Sequence, residues 1–255
     1  MISALVATGN RRSLRGPLGL SLKVAAAGFA VWVIYANLFV ISDPLVLGVL
    51  FVAGILSLLF IAIGHGRGAP ENPTAVDFGL SALSAITGAY FFVEAETISE
   101  RITFLDPLTT PQLFFGSCLL ALVMEATRRT AGLGLTAIVG LFLIYNWFGS
   151  WLPAPFGHGI RDFSYSLDIL LFTTDGVFGV PIQVIASYVF IFVLFGTLLA
   201  KAGGGQFFFD LASAMTRGAR GGPAKVAVIS SGLFGTISGS PTSDVVATGS
   251  ITKRL

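Results

Sequence analysis

Ten serine and threonine residues fall between Ser230 and Thr252, far more than a lipid-facing helix carries. Their hydroxyls, with backbone carbonyls freed at a chain break, are chemistry for holding an ion or a polar solute. The frame around them is informative. Val226–Ile237 (VAVISSGLFGTI) is apolar for twelve residues, about 18 Å of helix and roughly half of a ~30 Å hydrocarbon core. SGSPTSD follows, and then VVATGSIT, a second short and weakly apolar stretch ending at Lys253 and Arg254. Two half-length helices with a polar tip and basic outer ends describe a re-entrant hairpin that enters from the cytoplasm and returns there. Irregular backbone at membrane depth is tolerated only where protein or water surrounds it.

The tip has a polarity. The incoming half-helix is expected to end near Ser238, directing its carbonyls and negative dipole end toward the membrane centre, with Pro241 as the stop. The returning half is expected to start near Asp244 with Ser243 as N-cap and its positive dipole end at the tip. The first end suits a sodium ion and the second an anionic substrate, as in secondary transporters built on broken helices. Blander roles stand beside this one: Gly235 and Gly239 form a GxxxG pair suited to helix packing, and Ser230 and Ser231 can bond back to their own helix. An intramembrane serine protease needs a glycine two residues before its nucleophile and a later histidine. Thr236 precedes Ser238 here, and His65 and His158 both lie upstream in loops. No base is available for Ser238, so no catalytic residue is assigned and the chain is not read as an enzyme.

The elements that position the hairpin follow from composition. Of 255 residues, 54% are hydrophobic and 11% charged, and the mean hydropathy is +0.86. A soluble domain carries about a quarter charged residues, so soluble enzymes, disordered regulators and nucleic-acid binders are excluded. The net charge of +2 offers no polyanion-binding surface. Cys118 has no partner for a disulfide and lies in an apolar run. The expected fold is all-α, a polytopic membrane protein with six spans near Leu20–Ile41, Leu45–Ile63, Ala75–Val93, Gln112–Thr127, Leu133–Trp151 and Val177–Ala200, plus the hairpin over 220–254. The fourth span is short and ends in Glu125 and Arg128–Arg129; Glu125 suits either the membrane interface or a protein interior, and is read at the interface.

Loop charges set a direction. Arg11, Arg12, Arg15 and Lys23 precede or open the first span, Arg128 and Arg129 close the fourth, and Lys201, Arg217, Arg220 and Lys225 follow the sixth. Glu94, Glu96, Glu100, Asp106, Asp162, Asp168 and Asp175 collect in the alternate loops. By the positive-inside rule the N-terminus and the 201–225 segment are cytoplasmic. Within that segment Phe207, Leu211, Ala214, Met215 and Gly218 approximate one helical face, with Asp210 and Arg217 off it, which reads as a helix lying along the membrane surface. RGGPAK is no phosphate loop, because Lys225 is neither preceded by glycine nor followed by serine or threonine.

The chain resembles the fused membrane subunit of tripartite ATP-independent periplasmic (TRAP) transporters, of the type that partners TAXI-class binding proteins. The strings that carry the resemblance are EATRRTAG at 125–132, GVFGVP at 176–181, VFIFVLFGTLLAKAGGGQFFFDLA at 189–212, RGGPAKVAVISSGLFGTISGS at 220–240 and VVATGS at 245–250. They run in the family's order, while the first four spans match more loosely. The resemblance implies a four-helix small-subunit-like region over 1–130 and the start of the large transport subunit over 131–255. It implies organic-acid import by symport driven by an ion gradient, usually of sodium, with dicarboxylates among the cargoes, in the bacterial inner membrane, with substrate delivered by a periplasmic TAXI-type binding protein. It places the substrate and ion site on Ser238, Gly239 and Ser240, to which Ser243, Asp244 and Thr248 are added, with Ser238, Ser240 and Asp244 as candidate Na+ ligands. No cofactor is implied beyond Na+ as coupling ion, and the partners are the binding protein, the organic acid and the lipid bilayer, with no nucleic acid.

Two departures from the family's pattern stand out. Asp244 occupies the place of an asparagine, after Pro241, Thr242 and Ser243 where small apolar residues are usual. A carboxylate there strengthens cation binding and repels an anionic substrate unless a proton or an ion neutralises it. The family continues with a second, inverted half carrying another hairpin, whereas this sequence reaches Leu255. The expectation is therefore the N-terminal portion of a permease that does not transport alone, either truncated or completed by another chain supplying the C-terminal half. The alternative is a non-transporting membrane scaffold or docking subunit.

Overall fold

The computed structural model describes residues 8–40, 43–66, 68–159, 162–216 and 221–238. Among these residues the fold is all-helical, and six helices are long and apolar enough to cross a membrane. They are α1 (Gly16–Phe39), α2 (Pro44–Ala62), α3 (Ala75–Val93), α5 (Thr110–Ala131), α6 (Leu133–Phe148, continued by a tight turn to Trp151) and α8 (Val180–Lys201). Short helices α4 (Ala95–Glu100) and α7 (Phe163–Leu171) lie between them, and α9 (Gly204–Met215) and α10 (Gly222–Ser238) follow. The chain divides into two compact units, Met1–Gln183 and Val184–Leu255.

The helix starts follow local chemistry. Pro44 sits in the first turn of α2, and the Asp43 carboxylate accepts from the Leu45 N–H at 2.7 Å. Thr74 and Asp77 form a capping box at the head of α3, each side chain bonded to the other's backbone. At α5 the Gln112 side chain accepts from the Thr109 N–H at 2.9 Å. Asp162 caps α7 through the Tyr165 N–H at 2.7 Å.

The core of the first unit lies on α2, whose Val49, Phe51, Ala53, Leu56 and Phe60 are all buried. Its tightest partner is α3. A side chain at Gly88 would place its Cβ 2.6 Å from the Ala53 Cβ, so the glycine lets the two backbones close. Ser57 and Ser81 complete the seam, each hydroxyl donating to the other residue's carbonyl at 3.2 and 2.8 Å. In hydrocarbon, where apolar burial between helices gains little, small-residue packing and interhelical hydrogen bonds of this kind hold the pair. Gly116 of α5 admits Leu167 and Phe172, and Phe172 stacks on Phe91 at 5.1 Å.

Three expected boundaries move. The first span opens at Gly16 rather than Leu20, with Pro17 in its first turn. The fourth span is Thr110–Ala131, not Gln112–Thr127, because Glu125, Arg128 and Arg129 stay inside the helix by pairing with one another and with Asp77. Glu125 is accordingly part of a protein cluster, its side chain about one quarter exposed (26%), rather than simply an interfacial residue. The sixth span begins at Val180, since Val177 and Gly179 close turns onto Leu170 and Gly176. Within it, Ile185–Val189 winds as a wider π turn.

Candidate functional site

In the second unit, Gly203 at φ 94° ends α8 and redirects the chain into α9. Gly221 at φ 72° does the same before α10. The expected surface face of α9 is present: Phe207, Leu211, Ala214 and Met215 are exposed, while Gly204 and Ala212 on the opposite side are buried. Gly218 and Arg217 lie outside the described residues. Gln206 donates to Asp210 at 2.8 Å along the polar edge.

The segment expected to be the incoming arm of a hairpin is helical, as α10. It spans 17 residues, about 25 Å of helix, and so starts earlier than the twelve-residue apolar run, taking in Gly222, Ala224 and Lys225. Val226, Ser230 and Phe234 recur at four-residue spacing and form its buried edge. Phe234 meets Phe208 of α9 edge-on at 6.3 Å between ring centres. The Ser230 hydroxyl donates to the Ala227 carbonyl at 3.2 Å, so it is spent within its own helix. Val228, Gly232, Gly235 and Thr236 form an outward face, and Gly235 is exposed there rather than packed against another described helix. The backbone of α10 is described as far as Ser238, so the expected end of the arm there rests on residues outside the described ones. The remaining assigned residues, Gly239, Ser240, Ser243, Asp244 and Thr248, lie outside the described residues, as does the returning arm.

The first unit holds a second polar constellation that the sequence reading did not single out. Asp77, inside the apolar run of α3, is 1% exposed at its side chain. One of its oxygens accepts from the Thr74 N–H and hydroxyl, both at 2.9 Å, and from Arg12 Nη2 at 2.7 Å. The other accepts from Arg129 Nη1 at 2.7 Å. Arg129 Nε in turn donates to Glu125 at 2.7 Å, and Glu125 accepts two further bonds from Arg128. Charges thus alternate from Arg12 through Asp77, Arg129 and Glu125 to Arg128.

The same arginines cap helix ends. Arg12 donates to the Ile61 and Pro70 carbonyls, and Arg129 donates to the Ile63 carbonyl. Arg129 also lies over the Phe60 ring, 5.0 Å from its centre. The strand-like passage before α1 is tied in by Gly9 N–H to the Arg129 carbonyl at 2.6 Å and Arg12 N–H to the Ala62 carbonyl at 2.9 Å. Ionisable residues at membrane depth are retained either for a pathway or for a paired structural role. Both Asp77 oxygens are engaged by protein donors, and the ladder joins four segments, which is a lock. The one sequence signal for it was the Thr74-x-x-Asp77 spacing of a capping box.

A smaller pair lies at the other end of the same helices. Arg101 grips Asp168 with two nitrogens at 3.0 and 3.3 Å and donates to the Asp106 carbonyl at 2.6 Å. Phe104, in the left-handed region at φ 71°, stacks on Tyr165 at 4.7 Å. Around this pair Glu96, Glu100, Asp106, Asp162 and Asp175 are exposed.

Compared with known proteins, the chain matches the family model described as "Tripartite ATP-independent periplasmic transporter, DctM component" over residues 118–255. That match covers just over half of the sequence, starting inside α5 and including α10 and the whole expected tip. No curated protein and no solved structure matches the chain.

Proposed function

Because this chain belongs to the DctM-type membrane components of tripartite ATP-independent periplasmic transporters, we propose that it is the membrane permease component of a system that imports an organic acid on a sodium gradient, with the cargo handed over by a TAXI-type periplasmic binding protein. The observation that carries the reading is the extent of the family match, which takes in α10 and the Ser238-Gly239-Ser240 tip. A helix C-terminus concentrates unpaired carbonyls and a partial negative charge, which favours a cation at Ser238 and Ser240. Asp244 adds a formal charge for that cation, with Thr248 and the Ser243 cap completing the site. The bound cation then offsets the repulsion between Asp244 and an anionic cargo.

In this reading residues 1–130 correspond to a fused small-subunit region and 131–255 to the start of the large subunit. The N-terminus is cytoplasmic and the acidic rim around Arg101 and Asp168 faces the periplasm. Support comes from helix direction: the end of α2, the head of α3 and the end of α5 meet at the Arg12–Asp77–Arg129 ladder, where the basic loops gather.

The test is uptake into right-side-out membrane vesicles from cells carrying the transporter, using radiolabelled dicarboxylates and other small organic acids. Uptake is expected only with the binding protein present and only under an inward sodium gradient. Uptake that is unchanged when sodium is replaced by potassium overturns the coupling ion. Uptake that proceeds without a binding protein overturns the handover.

A further inference from the structure

His158 is held in an arrangement that two protonation states satisfy unequally. After the turn Gly149–Trp151 at the end of α6, the chain folds back on that helix. The Tyr145 hydroxyl donates to the Phe156 carbonyl at 2.7 Å, and Gly157 N–H returns to the Pro153 carbonyl at 3.2 Å. His158 then seats against Gly149 so closely that a Cβ there would collide with its Nε2. The ring meets Tyr145 edge-on, 5.2 Å between centres.

Both ring nitrogens face carbonyl oxygens: Nδ1 lies 2.8 Å from the Gly159 oxygen and Nε2 lies 3.1 Å from the Tyr145 oxygen. Carbonyl oxygens only accept. A neutral imidazole has one N–H, so it serves one of them and turns a lone pair toward the other, whereas an imidazolium donates to both. Position adds to this preference. The Tyr145 carbonyl belongs to the last turn of α6, where the helix dipole favours a positive charge. Of the titratable groups nearby, Tyr145 has its hydroxyl committed to Phe156, and Asp162 beyond the loop is committed to the Tyr165 N–H. Among the described residues no carboxylate lies within 4.0 Å of either ring nitrogen.

We propose that His158 is a proton-operated clasp: in acid it holds the Tyr145 carbonyl at the C-terminal end of α6 and the Gly159 carbonyl of its own 152–159 loop together, and it gives up one of the two bonds as the pH rises. The proton resides on the ring, no covalent bond changes, and the bistable element is the loop.

Hydrogen exchange of the full chain in lipid nanodiscs tests this at about pH 5.5 and about pH 8. After correction for intrinsic exchange chemistry, peptides across 150–159 are expected to be about tenfold more protected in acid, the factor one charge-assisted hydrogen bond supplies. Peptides from α2 serve as the internal control. His158→Gln keeps a donor but cannot gain a proton, and its loop is expected to exchange alike at both values. Imidazole nitrogen NMR of the wild-type chain gives a readout that needs no variant: both nitrogens carry protons in acid and one tautomer remains in base. A wild-type loop whose protection ignores pH, or a His158→Gln loop that keeps the pH response, overturns the clasp.

Discussion

Asp77 and Arg129 stand 52 residues apart in the chain and share a buried hydrogen bond of 2.7 Å. Through that bond the head of α3 and the end of α5 are fixed to each other, and Arg12 on the neighbouring oxygen brings in the segment before α1. Burying such charges costs desolvation that only full pairing repays. The lock is therefore intolerant of losing one member.

Replacing Asp77 by asparagine leaves two arginines facing a neutral amide, with side chains 2% exposed. The expected loss is about 3–5 kcal/mol, read as a large drop in apparent melting temperature in detergent. A variant that melts with the wild type shows that the ladder carries no stability.

Arg12 makes a different demand. Its guanidinium reaches Asp77 and the Phe60, Ile61 and Pro70 carbonyls together, a fork that lysine cannot reproduce. Arg12→Lys keeps the charge and is expected to cost about 2 kcal/mol through the lost carbonyl bonds. Melting indistinguishable from wild type would mean that charge alone matters there.

The helix seam gives a prediction of opposite sign in two steps. Gly88→Ala forces a methyl against Ala53 and is expected to destabilise by about 1–3 kcal/mol. Adding Ala53→Gly removes the opposing methyl and should return part of that loss. Additive losses in the double variant rule out the direct clash.

How far these features could be read in advance depended on their range. The third span is Ala75–Val93 in both readings, because an apolar run bounded by Pro73-Thr74 and Glu94 is a local pattern. The fourth fell short because Glu125, Arg128 and Arg129 look like an exit from the membrane until their partner is known. That partner, Asp77, lies in another helix 52 residues earlier in the chain. Local periodicity shows which face of a helix is apolar. It does not show which distant carboxylate will neutralise an arginine. The same limit applies to α8, whose π turn at Ile185–Val189 has no compositional mark. On α10, by contrast, the serine that bonds back to its own helix was legible, since that bond is local.

That contrast on α10 separates two serines that composition treats alike. The Ser230 hydroxyl is already bonded to the Ala227 carbonyl and buried, so Ser230→Ala should leave sodium dependence where it is. Ser240 belongs to the tip assigned to the ion, and in an active transporter Ser240→Ala should raise half-saturating sodium several-fold, about what one lost oxygen ligand to a charged species costs. Initial uptake rates of a labelled organic acid against sodium concentration measure both. Maximal rate reports the abundance of folded protein, so the comparison rests on the sodium midpoint. A midpoint unmoved by Ser240→Ala removes Ser240 from the ion site, and one moved equally by Ser230→Ala shows that the shift comes from a disturbed helix rather than from a lost ligand.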